Sequence, residues 1–513
     1  MFLKARPLEI EALKPIVILN RDDADELDVR PLDRVELVVN NKKVTAIVNV
    51  AEVFILKGEI GLSESVHEDL RVRMGEKVKV RPAEPPESII FIKNKLSGNV
   101  LKSKEIEDIV ADVAGQKLSD IEVTAFVTGL YMHGMAMNEI AALSHAMAEA
   151  GKSLRFKTKE IFDKHSIGGI PGDKTSLLLV PVIAAAGLTI PKTSSRAITA
   201  PAGTADRMEC LCPVDLTLEE IKGVVNKTNG CLVWGGAVEL APADDMFIQV
   251  EYPLSIDPLL LPSVMSKKKA VNVKYLVIDI PTGRGVKVKT TQEAEDLANK
   301  FIDLGKKLKI KVDCVSTFAD QPIGYGVGPA LEAREALSTI EDGKGPKDLI
   351  DKVTCLSSVL FDFKKINNPK DKISHILKSG KADKKLREII AAQGGDPKIK
   401  PEDIPVGKKS IKVKSNKSGR VLWINNHFIT RMARVAGAPK NKGAGILLHK
   451  KLADKVKRGD ILFEIYAESG YKLKKALDIF EKKNVVGVGK KYSIVLAEIP
   501  EEEKRKKYFI LER

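Results

Sequence analysis

Cysteine is scarce in this sequence: five in 513 residues, an odd number that does not make a disulfide framework. Cys210 and Cys212 stand as Cys-x-Cys, and no nearby Cys or His pair completes a zinc site. Five buried free thiols and no metal ion are therefore expected. Long apolar runs are also missing. The most apolar stretch, Leu177 to Ala186, is about half the roughly 20 residues that a membrane-crossing helix needs. The N-terminal Met1-Phe-Leu-Lys-Ala-Arg6 lacks the basic-then-apolar layout of a secretory leader, which points to the cytoplasm. Lysines crowd residues 364–420 without interleaved aromatic residues for base stacking. The net charge of +15 is thus read as a Lys- and Glu-rich surface of the heat-adapted kind, with no nucleic-acid partner and no membrane. An anionic substrate would need only a few well-placed cations. No internal repeat is evident.

What is present implies several domains, since single cores rarely grow beyond roughly 250–300 residues. Residues 1–84 read as short strands at Ile16–Leu19, Val35–Val39, Val44–Val50, Gly58–Leu62 and Lys77–Arg81, separated by Asp, Asn and Gly turns. That is the pattern of a small β-barrel. Arg81-Pro-Ala-Glu-Pro-Pro-Glu87 is a linker. Helical periodicity follows over 85–152. Ser119-Asp-Ile-Glu122 is a capping box ahead of a run to Met132, and Asn138 precedes a helix reaching Ala150. From Asp163 to about Cys355 strands alternate with helices, an α/β core spanning about 153–405. Strands return at Ser410–Val413, Gly419–Ile424, Ile461–Tyr466 and Val485–Val488, an α+β part over 406–513.

Four segments could carry chemistry. Asp163-Lys-His-Ser-Ile-Gly-Gly-Ile-Pro-Gly-Asp-Lys-Thr-Ser176 places three glycines, hydroxyls and lysine ahead of an apolar helix, the makings of an anion site. It is not the nucleotide P-loop, whose spacing is absent. Thr193 to Glu209 adds two serines, Arg196, Thr199 and Thr204, which suit phosphate oxygens. Asp257-Pro258 reads as a helix start, with Asp as N-cap and Pro at the first helical position. Asp279-Ile-Pro-Thr-Gly-Arg-Gly-Val-Lys287 is a strand followed by a Gly-x-Gly turn that presents Lys287.

Taken in order, Lys164-His-Ser-Ile-Gly-Gly169, Ser194-Ser195-Arg196 with Gly203-Thr-Ala-Asp206, Leu240-Ala-Pro-Ala-Asp244, Ser263 with Lys267, and Gly283-x-Gly-x-Lys287 resemble the thymidine and pyrimidine-nucleoside phosphorylase family from about residue 88 onward. The resemblance is closest to the archaeal branch that phosphorolyses AMP, which carries an N-terminal β domain like residues 1–84. It implies the multidomain α/β nucleoside phosphorylase type II fold, with a mixed sheet in the large α/β domain and residues 242–272 returning to the helical domain. It also implies pentosyl transfer in nucleotide degradation and AMP salvage. A nucleoside 5′-monophosphate (AMP, with CMP and UMP) and phosphate would give free base and ribose 1,5-bisphosphate. No cofactor is implied, phosphate being a co-substrate, and a homodimer or larger homo-oligomer would assemble through the N-terminal domain.

By the same resemblance, Lys164, Ser166, Ser176, Ser194 and Thr204 hold the attacking phosphate. Gly169, Ser195, Arg196, Ala197, Ile198, Thr199, Ala200, Thr204, Ser263 and Lys287 hold the nucleotide. Asp257 matches the branch's proton donor, which requires burial or a neighbouring anion to raise its pKa, and His165 is a second candidate acid. Two departures weaken a pyrimidine-nucleoside assignment. Met246-Phe-Ile-Gln-Val-Glu251 lacks the family's base-contacting Arg, and Ala197-Ile-Thr-Ala-Pro201 replaces its glycine-rich run. Cleavage of unphosphorylated thymidine or uridine, and a nucleic-acid-binding module, stay open as alternatives. An anthranilate-type phosphoribosyltransferase would need an acidic cluster for magnesium, and none is evident.

Overall fold

The structure is a computed structural model, and it describes residues 1–12, 14–197 and 200–490. At the N-terminus β1 (Phe2–Pro7), β2 (Ile16–Asn20), β3 (Arg34–Val39), β4 (Lys42–Ala51), β5 (Glu59–Leu62) and β6 (Lys77–Ala83) close a barrel in the order β1-β5-β2-β4-β3-β6. Period-two alternation turns Leu3, Ala5, Val35, Leu37, Val78 and Val80 inward, and closure leaves no exposed sheet edge.

The helices Ser88–Leu96, Ser103–Ala114, Asp120–His133 and Met137–Glu149 follow. The Ser119 capping box forms as expected, with Ser119 Oγ accepting from the Glu122 amide at 3.3 Å. The next helix differs: it starts at Met137, and Glu139 caps it by accepting from the Ala136 amide at 2.8 Å. Helix Pro242–Leu254 returns to this bundle, burying Ala243 and Phe247 in the same core. Helix Leu260–Ala270 lies between the bundle and the central sheet, where Val264 and Met265 share an apolar cluster with Ile140 and Leu276.

The central strands are β7 (Phe162–Ser166), β8 (Ile190–Ser194), β9 (Gly230–Trp234), β10 (Tyr275–Thr282) and β11 (Lys311–Phe318). β11, β10 and β7 pair in parallel, β8 pairs β9 in parallel, and a parallel bridge from Ile161 to Thr189 joins the two groups. The mixed sheet expected here is therefore parallel in all its described pairings. Helices carry the chain back between neighbours, so each strand re-enters in the same direction. Helix Thr175–Ala185 is apolar on every side and buried from Thr175 to Ala184. Helix Lys347–Asp362 is amphipathic, with Leu349, Val353, Leu356 and Leu360 inward. Cys355 falls off that stripe and is exposed, and Cys210 and Cys314 are half-buried, so the expectation of five buried thiols holds only at Cys212 and Cys231.

Beyond residue 405, strands Lys409–Lys414, Gly445–Leu448 and Ile461–Ala467 form an antiparallel sheet that also takes in Gly326–Val327 from the α/β part. Gly419–Ile424 and Val486–Gly489 pair beside it.

Candidate active site

Parallel pairing brings the carboxyl ends of β7, β8 and β10 to one edge, at Ser166, Ser194 and Thr282. That edge is where parallel α/β sheets receive ligands. The loop after β7 carries Gly168 and Gly169, both at positive φ. A Cβ on Gly169 would stand 3.1 Å from the Lys287 amide nitrogen, so only glycine lets the loops after β7 and β10 touch.

Strand register sorts the charged residues of β7 onto two faces. Lys164 and Ser166 share a face with Asp279, which lies beside Ser166 on β10. There Lys164 Nζ sits 3.5 Å from Asp173 and 3.8 Å from Asp279, and Lys352 Nζ is 2.8 Å from Asp279 and 3.6 Å from Asp173. Asp279 also accepts from the Thr317 hydroxyl at 2.7 Å. Burial pushes the Asp173 carboxyl up, but the ammonium groups of Lys164 and Lys352 overcome it and hold it far below the usual range. The opposite face carries Asp163 and His165. Asp163 pairs with Lys268 at 2.6 Å and Lys192 at 3.5 Å.

This second cluster is rich in cations. Burial, and the like charges of Lys268 and Lys164 working against Asp163, push the Lys192 ammonium down to about 7. Burial and four lysines (268, 192, 164 and 267) drive the His165 imidazole well below its ordinary value. That environment disfavours the protonated ring, which weighs against His165 and for Asp257 as the acid.

The loop after β8 folds back on itself. Asp206 accepts from the amides of Ala197 and Gly203, both at 2.7 Å. A Cβ on Gly203 would lie 2.5 Å from the Ser195 carbonyl oxygen, so the turn demands glycine. Ser194 Oγ donates to the Val233 carbonyl at 3.1 Å, and Ser195 is exposed. Arg196 forks onto Glu209 at 2.7 and 2.8 Å, reaches Asp215 at 3.1 Å and stacks over Trp234 at 4.9 Å. Its guanidinium, expected to face phosphate, is engaged by carboxylates; bonding to Glu209 raises it and holds Glu209 down at about 2. Lys442 also pairs with Glu209. Thr204 opens helix Thr204–Met208, where its hydroxyl accepts from Arg207 at 3.4 Å, and Ala200 is half-buried. Ile198 and Thr199 lie outside the described residues. Ser176 is buried in the first turn of helix Thr175–Ala185, while Lys174 turns away to the Ile323 carbonyl at 2.9 Å and to Glu335.

Asp257 is exposed and pairs with Lys287 at 2.5 Å, beside Gly169. It is not the N-cap that its sequence suggests, because the helix starts only at Leu260 and the Asp257 carboxylate goes to Lys287 instead. Ser263 Oγ donates to Asp244 at 2.9 Å, and Lys267 pairs with the same carboxylate at 2.5 Å. Burial, opposed by the Leu259 amide and aided by Asp257 and Asp244, pushes Glu251 up to about 7. Sequence reasoning gave no role to Lys192, Lys268, Lys352 or Glu251, nor to Asp163, Asp173 and Asp279, although these three lie in segments it singled out. A signal existed for two of them: Lys268 and Lys352 fall on the apolar stripes of their helices, beside Val264 and Met265 and beside Leu349 and Leu356.

Three family models match the chain: the helical bundle domain of the glycosyl transferase family over residues 90–151, its a/b domain over 158–383, and the pyrimidine nucleoside phosphorylase C-terminal domain over 421–486. An AMP phosphorylase of Thermofilum pendens is 47% identical over 96% of this chain and 96% of its own. One of Thermococcus kodakarensis is 50% identical over 93% of this chain and 96% of its own. Among solved structures, an anthranilate phosphoribosyltransferase from Thermus thermophilus aligns with 59% of this chain and 98% of its own, at 19% identity and a TM-score of 0.49.

Proposed function

The chain belongs to the AMP phosphorylase family, and on that premise we propose that it catalyses the reversible phosphorolysis of AMP, and of CMP and UMP beside it. A phosphate oxygen bonds to C1′ as the glycosidic C–N bond breaks, the base takes up a proton, and ribose 1,5-bisphosphate forms. The chain's work is to place the phosphate, offset its charge and deliver that proton.

The attacking phosphate sits among Lys164, Ser166, Ser176, Ser194 and Thr204, at the shared edge of β7 and β8. Lysines 164, 192, 268 and 352 set a positive field there, only partly offset by Asp163, Asp173 and Asp279. The nucleotide lies across Gly169, Ser195 to Ala200, Thr204 and Ser263, with its 5′-phosphate on Lys287. Asp257 is the proton donor, favoured over the second candidate His165, whose ring is driven well below its ordinary range. The observation that carries this reading is the Asp257–Lys287 pair, with the Lys287 backbone packed against Gly169. A 5′-phosphate that draws Lys287 to itself frees the Asp257 carboxyl for the leaving base, so one anion both anchors the substrate and releases the acid. Incubation with AMP should release adenine only when phosphate is supplied; release without phosphate, or none, overturns the reading.

The same reading takes the architecture as the nucleoside phosphorylase type II fold, working in the cytoplasm in nucleotide degradation. It places homo-oligomer assembly on the barrel, where Val53, Phe54 and Leu56 expose apolar surface between β4 and β5. Replacing Phe54 and Leu56 together by Ser should lower the mass measured by light scattering. An unchanged mass would remove the barrel from the interface.

A further inference from the structure

We propose that Glu251 is a positioning residue for the proton donor, holding the segment that presents Asp257 at both of its ends. The inference rests on Asp257 being the donor. Glu251 lies in the last turn of helix Pro242–Leu254 and is only 7% exposed. Its carbonyl oxygen accepts from the Ile256 amide at 3.2 Å, and its carboxylate accepts from the Leu259 amide at 3.0 Å. The amides just before and just after the Asp257-Pro258 dipeptide thus end on one side chain and its own backbone.

The geometry around this clamp is directional. Ser255, the first residue past the helix, has φ of 54° and reverses the chain. Asp244, two turns before Glu251 and so on the same helix face, holds Ser263 and Lys267 of the following helix. Helix Pro242–Leu254 therefore grips segment 256–267 through two acidic side chains, and Glu251 is the one nearer the donor. A buried carboxylate is a costly way to hold a turn unless its bonds matter. Its charge state is tuned by burial, by the Asp257 and Asp244 carboxylates and by Lys287. When substrate takes Lys287, Asp257 loses its side-chain partner, whereas the Ile256 and Leu259 amides still donate to Glu251 and hold its backbone.

The test compares Glu251→Ala, Glu251→Gln and Asp257→Asn in steady-state phosphorolysis of AMP. Misplacing the acid should lower kcat of Glu251→Ala by about 10²-fold, with KM for AMP and phosphate changed less than about threefold, because neither substrate touches Glu251. Glu251→Gln keeps an acceptor for the Leu259 amide and should recover most of that kcat. If Glu251→Ala yields no folded protein, Glu251→Met fills similar volume without an acceptor and takes its place. Unchanged kcat in the Ala or Met variant, or Gln as slow as Ala, overturns the proposal. An inactive Asp257→Asn beside a normal Glu251→Ala refutes the positioning role alone, whereas an active Asp257→Asn refutes the donor reading beneath it.

Discussion

Asp257→Asn is expected to lower turnover of AMP by about 10²- to 10⁴-fold, the range that one general acid supplies, while AMP still binds. Asparagine keeps the size of the side chain but cannot hand its proton to a departing base. Lys287, which pairs with Asp257 at 2.5 Å, loses its competing carboxylate and meets the 5′-phosphate more readily. The loss should therefore appear in kcat, with KM for AMP unchanged or lower, a split that separates lost chemistry from lost binding. Initial rates across AMP concentrations read both constants. Near-normal turnover would return Asp257 to a structural part in the turn before helix Leu260–Ala270.

Lys164→Met should lower kcat/KM for phosphate by about 10²- to 10³-fold, the effect of removing one preorganised charge partner at a reacting anion. Lys164 is 3% exposed and faces Asp173 and Asp279 together with Lys352. Methionine fills the space but leaves two carboxylates to one lysine, so the local charge turns from balanced to negative and repels an anion. Breaking a buried ion pair also destabilises by about 3–5 kcal/mol. Rates should accordingly be read at a temperature where circular dichroism shows the variant folded. An unchanged kcat/KM for phosphate in folded protein would move the nucleophile to the other face of β7, beside Lys192 and Lys268.

The parts legible in the sequence were those governed by local chemistry. Short strand-length segments between Asp, Asn and Gly turns located five barrel strands, and Ser119 with Glu122 marked a helix start that the structure keeps. The glycines at 169 and 203 sit where backbones touch, a demand that the anion-loop reading of the sequence did not include. The carboxylate–lysine pairing was not legible, because it depends on strand register and on partners far along the chain. Asp163 meets Lys268 from 105 residues away. Lys352 looks like one more surface lysine in a chain of net charge +15 until its helical stripe is drawn. Two local rules lost to such long-range partners. Asp257 pairs with Lys287 instead of capping a helix, and Arg196 is taken by Glu209 and Asp215 before any phosphate arrives.

The central claim is that the substrate brings its own 5′-phosphate to this site. Its most direct test is to supply AMP, adenosine and thymidine separately with inorganic phosphate and to identify base and sugar products. AMP should yield adenine and ribose 1,5-bisphosphate in equal amounts, with the two nucleosides turned over far more slowly. Efficient cleavage of adenosine or thymidine with AMP left intact would contradict it.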